Sequence, residues 1–149
     1  MLKKKLKNKD LIVKSKPLFA FSIKQGAFAI PLDIMEGVTP ASQVVPVPGN
    51  RSRVFVGIAY LQGQLVSIID IAPLENKGSS SDAKDVVMFR WNKEYYGIFA
   101  HETIGVIAKP QLKRRSTPAT GLWQQECEYR KRSVALMDVE KLITEHVCA

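Results

Sequence analysis

The sequence predicts a mainly β protein built from two copies of one small unit and closed by a short C-terminal helix. Three observations carry that expectation. Short apolar or alternating stretches follow one another at close spacing, with turn residues between them. An ungapped self-similarity relates positions 68 residues apart. A helical apolar period occurs convincingly only near the C-terminus. The 149 residues are 46% hydrophobic and 24% charged, an ordinary globular composition that excludes a wholly disordered chain. Eight prolines and nine glycines fit many turns and short elements.

The elements follow in order. LFAFSI (18–23), a KQG turn and AFAIPL (27–32) read as a hairpin, with Gly26 supplying the permissive dihedral. A loop punctuated by Pro40, Pro46, Pro48 and Gly49 leads to FVGIAYL (55–61), which Gln62-Gly63 turns into QLVSIIDI (64–71). ENKGSSSDAK (75–84) is small and polar and marks a boundary. Strand patterns resume with DVVMFRW (85–91), an NKE turn and YYGIFA (95–100). Such short strands imply a small barrel or sandwich. The helix spans Asp138 to Val147, capped by Asp138, with Val139, Leu142, Ile143 and Val147 on one apolar face.

The self-similarity is the most informative feature. Phe21 matches Phe89, Ile30 matches Ile98, Gly37 matches Gly105 and Val38 matches Val106. With the register unchanged, Val66 matches Val134, Asp70 matches Asp138 and Leu74 matches Leu142. Phe28 with Tyr96, Ala29 with Gly97 and Ile71 with Val139 are conservative pairs. The organisation that follows is a basic tail at 1–16, one unit near 17–75, a linker at 76–84, a second unit near 85–143 and a tail at 145–149. Each copy holds too little core to stand alone, so the two must pack through an apolar junction that leaves a groove for a partner.

Charge separates the tail from the domain. Residues 1–16 hold seven lysines and one aspartate, net +6, whereas the other residues carry only +2 of the total +8. The tail is suited to weak, salt-sensitive contact with anionic surfaces. The clusters Lys113-Arg114-Arg115 and Arg130-Lys131-Arg132 lack the interleaved aromatics of a single-strand binding platform. No apolar run approaches the roughly 20 residues needed to span a bilayer, and no apolar segment of export type follows the lysines. With two cysteines far apart, a reducing cytoplasm is the expected compartment. His101 and His146 stand in no metal-ligand spacing, and no Walker loop, G-x-G-x-x-G or G-x-S-x-G occurs. No catalytic residue, metal site or cofactor is expected.

The stretches LFAFSIKQGAFAIPLDIMEGV, VPVPGN and FVGIAYLQGQLVSIIDI, then DVVMFRWNKEYYGIFAHETIGV and SVALMDVEKLI, resemble the CheW-like chemotaxis coupling domains over about 17–144. The resemblance implies two five-stranded SH3-like β-barrels around a shared core. It also implies a non-enzymatic adaptor that links chemoreceptor tips to the regulatory domain of a CheA-type histidine kinase. Gly57, Gly63 and Asp70 match the family pattern, while its usual arginine is Gln62 and its usual proline is Ser67. Gln62 lacks the charge and the fork of donors that pin a carboxylate. Ala100-His101 stands where a Val-Asp pair is usual, and Gly37-Val38 where a Glu-Ile pair is usual.

By the same resemblance, Gly37, Val38, Gln62 and Gly63 are the kinase-side candidates. Leu32, Met35, Val86 and Val106 are candidates for a groove that takes an apolar receptor tip. The expected function is a cytoplasmic chemosensory adaptor in chemotaxis or twitching motility, situated at membrane-associated or polar arrays. The alternatives are a scaffold of the same fold with other protein partners and a basic β-barrel that binds nucleic acid.

Overall fold

A computed structural model describes residues 16–24, 26–75, 78–115 and 123–147. The lysine-rich tail lies outside these residues except for Lys16, whose Nζ stands 3.5 Å from the Asp33 carboxylate. Strands β1 (Leu18–Ile23) and β2 (Gly26–Pro31) form a hairpin, and a 3-10 turn at Leu32–Ile34 leads into β3 (Met35–Pro40). Strands β4 (Phe55–Leu61) and β5 (Gln64–Ile69) form a second hairpin, followed by a 3-10 turn at Ala72–Glu75. The pattern then recurs as β6 (Asp85–Trp91), β7 (Glu94–Ala100), β8 (Glu102–Ile107), the two-residue β9 (Lys113–Arg114), β10 (Gln125–Tyr129) and β11 (Arg132–Leu136). Helix α1 (Val139–Leu142) runs into a π-helical turn at Ile143–Val147.

Helix and turns show where local chemistry rules. Asp138 accepts a hydrogen bond from the Lys141 N–H at 3.1 Å, the cap the sequence predicts. Val139, Leu142 and Ile143 are buried beneath it. The helix is shorter than 138–147, because its hydrogen bonding widens after Leu142. In the first hairpin Ile23 pairs with Gly26, so Gly26 opens the ladder and Lys24, at φ 55°, is a turn residue. The sequence expectation had placed the unusual dihedral at Gly26. Gln62 and Gly63, Asn92 and Lys93, and Arg130 and Lys131 likewise occupy two-residue turns at positive φ. Turns of this kind match the right-handed twist of the flanking strands, which outweighs a cost of about 1 kcal/mol for each left-handed side-chain-bearing residue.

The two sheets have one plan. The six-stranded sheet runs β8-β1-β2-β11-β10-β9 and the five-stranded sheet runs β3-β6-β7-β5-β4. Strands 68 residues apart occupy the same place in the two sheets: β1 and β2 correspond to β6 and β7, and β8, β11 and β10 to β3, β5 and β4. The sixth position of the second sheet is filled by the Val45–Ile58 bridge, the counterpart of Lys113–Glu126. Even the irregularities correspond. The ladder β1–β8 shifts register between Ala20 and Phe21, and β3–β6 shifts at the matching residues of its own strands.

Each sheet takes strands from both copies. The hairpin β1–β2 lies between β8 and β11, and the hairpin β6–β7 lies between β3 and β5. Parallel ladders join β2 to β11 and β7 to β5. The units near 17–75 and 85–143 are therefore copies of sequence but not separate sheets. Within the first copy β3 has no ladder to β4 or β5, and the second copy's hairpin fills that gap. The mainly β fold with its short C-terminal helix is as expected; the two barrels of the expectation are two sheets, and among the described residues neither closes on itself through hydrogen bonds.

The core explains why the self-similarity is so strong where it is. Phe21 and Phe89, Ile30 and Ile98, Phe28 and Tyr96, and Ile71 and Val139 all enter one cluster shared between the sheets. Phe89 stacks on Tyr96 at 5.5 Å between ring centroids, and Phe28 meets Trp123 at 5.1 Å. Each sheet also curls over a small cluster of its own, with Val66, Ile68, Val86 and Met88 in one and Leu18, Ala20, Ala29 and Val134 in the other. Burying large side chains in three places lets a chain of this size remove enough apolar surface from water.

Candidate protein-docking surfaces

The repeated aspartates hold the scaffold. Asp70, 3% exposed, accepts from the Ala72 N–H at 3.0 Å, the Ser80 N–H at 2.7 Å and the Ser79 hydroxyl at 3.2 Å. It therefore caps the turn after β5 and fastens the linker, as Asp138 caps the helix after β11. This family-pattern residue has a structural duty in both copies.

Of the kinase-side candidates, Gln62 and Gly63 form the exposed turn between β4 and β5, with φ 49° and 78°. Gly37 and Val38 lie on β3, an end strand of the five-stranded sheet. Gly37, at φ 152°, sits on the residue after the ladder irregularity, with open space where a Cβ would stand. Val38 is half-buried against the shared core.

The receptor-groove candidates differ in exposure. Leu32 and Met35 lie where the chain passes from one sheet to the other, half-buried on the shared core. Val106 stands 47% exposed on β8, the end strand of the six-stranded sheet. Val86 is 1% exposed, with its Cγ1 pressed so close to Gly97 that a Cβ there would lie 2.4 Å from it. Val86 is core and offers no surface to a partner, because its strand is flanked on both sides and this face turns inward. Val38 and Val106 are counterparts, so each sheet carries an equivalent valine on a strand that ends the sheet among the described residues.

A surface that the sequence reading missed lies beside Gln62. Val45, Tyr60 and Leu65 are 60%, 68% and 68% exposed, and with Ile58, Pro46 and Pro48 they line an apolar hollow of about 570 Å³. Gly57 sets this arrangement: a Cβ there would stand 2.3 Å from the Val45 carbonyl oxygen, so only glycine admits the Val45–Ile58 bridge. The counterparts of Val45, Ile58, Tyr60 and Leu65 in the other sheet are Lys113, Glu126, Glu128 and Ser133. One end of the molecule is thus apolar and the other charged. The signal was available in the matched register, where four apolar residues face four polar ones.

The two basic clusters do approach each other on β9, β10 and β11, yet acids stand among them. Arg115 is 3.8 Å from Glu126 and Arg132 is 3.8 Å from Glu102. Burial pushes the Cys127 thiol up, and Glu126 adds to the effect. Among the described residues no group of three or more His, Cys, Asp or Glu side chains could hold a metal ion. No described helix is long and apolar enough to cross a membrane.

His101 ties three segments. Its N–H donates to the Ser22 carbonyl at 2.9 Å, its Nδ1 accepts from the Lys24 N–H at 2.9 Å, and its Nε2 meets Asp82 at 3.0 Å. Since Nδ1 must accept, the ring proton sits on Nε2 and points at the carboxylate. That hydrogen bond holds the Asp82 carboxyl below its ordinary value. A depressed carboxyl stabilises the fold above the unfolded-state pKa and loses that contribution as pH falls through the folded one. Urea titrations should therefore show Asp82→Asn less stable than wild type at pH 7, with the gap closing as pH falls below the ordinary aspartate range. A gap independent of pH would show that the carboxylate charge has no part in the tie.

Comparison with known proteins agrees with this architecture. The family model described as CheW-like domain matches residues 17–147. The crystal structure of the scaffolding protein TtCheW from Thermoanaerobacter tengcongensis superimposes with a TM-score of 0.75 at 12% identity, covering 90% of this chain and 93% of that one. A search of the curated proteins finds no match. Duplicated sheets with exchanged hairpins, a capping aspartate in each copy and a family match across nearly all of the described residues lead to one assignment: the chain belongs to the CheW-like domain family.

Proposed function

We propose that this chain is a cytoplasmic adaptor of chemosensory signalling that couples a chemoreceptor tip to the regulatory domain of a CheA-type histidine kinase by binding alone. The observation that carries the reading is the apolar hairpin end, where Tyr60 and Leu65 stand exposed on either side of the Gln62–Gly63 turn. Such an exposed cluster on a small domain fits a protein partner. Aromatic and aliphatic anchors of this kind dominate binding energy when a partner covers them. The kinase domain docks on this end and on β3 at Gly37 and Val38. The receptor tip docks on Leu32, Met35 and Val106, and the rigid shared core fixes the geometry between the two.

The test uses a purified CheA-type regulatory domain and a receptor signalling fragment in separate titrations. Leu65→Asp should weaken the kinase domain at least tenfold, about 1.4 kcal/mol, and leave the receptor fragment unaffected. Val106→Asp should do the reverse. Gln62→Arg should strengthen kinase binding by restoring a forked donor. If neither partner binds wild type, the reading fails. Binding of other proteins by the same apolar end would favour a scaffold of changed partnership.

A further inference from the structure

A second surface, unused by the coupling reading, lies at the other end of β4. The loop 47–55, Leu74 and the π-helical turn enclose an open cleft of about 780 Å³. Its floor is apolar, with Val47, Phe55, Leu74 and Val147 half-buried. Its rim carries Arg51 and Arg53, both exposed. Among the described residues neither arginine has an ion pair. The cleft begins at Phe55 and the Gln62 turn follows Leu61, so the length of β4, about 20 Å, separates this site from the hairpin end.

The loop is fastened before any ligand arrives. Asn50 accepts from the Ser52 N–H at 3.0 Å and donates to the Phe55 carbonyl at 2.6 Å. The Ser52 hydroxyl accepts from the Val54 and Phe55 N–H groups at 3.1 and 2.9 Å and donates to the His146 carbonyl at 2.9 Å. The side chains between and before the arginines are thus spent on the loop itself, and the guanidinium groups are left for something else. A preformed loop loses little conformational freedom on binding, so more of the interaction energy appears as affinity. Two like charges two residues apart repel until an anion lies between them.

We propose that this cleft binds an acidic peptide segment of a partner protein, with an Asp or Glu carboxylate on Arg51 and Arg53 and a neighbouring apolar side chain on the floor. Guanidinium groups hold a carboxylate through paired, charge-assisted hydrogen bonds. The apolar floor suits a peptide side chain. Glu145, which also lines the cleft and stands 4.0 Å from Lys141, limits the negative charge it accepts and opposes the succession of phosphates that a nucleic acid would bring. The chain's own lysine-rich segment has the wrong sign for this cleft.

The probe is a fluorescein-labelled peptide, Gly-Asp-Leu-Glu-Phe-Gly, followed by fluorescence anisotropy against the full chain. Arg51→Ala/Arg53→Ala should weaken it at least tenfold, while Lys109→Ala, which removes an exposed charge that does not line the cleft, should leave it within twofold. Both arginines are exposed, and matching circular dichroism and melting temperature will show that the double variant folds. Affinity should also fall as salt rises, since the guanidinium charges face solvent. No peptide binding to wild type overturns the proposal, as does equal binding by the double variant, which would assign the attraction to the lysines. A labelled oligothymidine that binds with the same dependence on Arg51 and Arg53 overturns it in favour of nucleic acid.

Discussion

Expressed apart, residues 17–75 and 85–147 should each fail to fold cooperatively, and mixing the two fragments should restore the β-sheet signal. The exchanged hairpins require it. Residues 17–75 contain β4 and β5 but not β6 and β7, which stand between β3 and β5 in their sheet. Their own β1–β2 hairpin would have neither β8 nor β11 beside it. An isolated two-stranded hairpin is marginal in water, and a fragment of this size buries too small a share of its surface. Circular dichroism and heteronuclear NMR of each fragment alone and of the equimolar mixture are the measurements. Two fragments that each fold without the other would overturn the exchanged architecture.

Phe89→Ala should cost about 3–5 kcal/mol, and Phe21→Ala a similar amount. Both side chains are fully buried in the shared cluster, and Phe89 stacks on Tyr96. The two rings are counterparts, so each truncation opens a cavity in the layer that holds both sheets together. A loss near 4 kcal/mol is a large part of the 5–15 kcal/mol typical of a domain. Urea-induced unfolding, followed by tryptophan fluorescence, will read the midpoint of each variant. If the two losses differed greatly, or if one fell below about 1 kcal/mol, the sheets would not share a single core.

Particular residues show what could be read from the chain and what could not. The strands FVGIAYL and DVVMFRW were legible to their ends, because alternation and turn residues are local signals. The Asp138 cap was legible for the same reason. Gly26 was misread, since which two residues form a turn depends on the register of the ladder. Val86 was a groove candidate by resemblance, but it is buried between its hairpin partner β7 and β3, and β3 and the neighbouring Val66 and Ile68 are distant in sequence. Val45, Tyr60 and Leu65 were passed over because an apolar residue on a strand is ordinarily core.

The sequence by itself determined the unit and its duplication, since a 68-residue register of phenylalanines, isoleucines, glycines and aspartates records packing that both copies must satisfy. It also determined the turns, the capped helix and the family, all of which rest on local patterns and their order. Only the tertiary structure decided that the copies exchange hairpins, because parallel ladders such as β2 with β11 join residues more than a hundred positions apart and leave no mark in either strand alone. It alone decided that Val45, Tyr60 and Leu65 stand exposed around one hollow, and that Arg51 and Arg53 face an open cleft. Exposure belongs to a side chain's neighbours in space, and alternation along a strand does not say which face they cover.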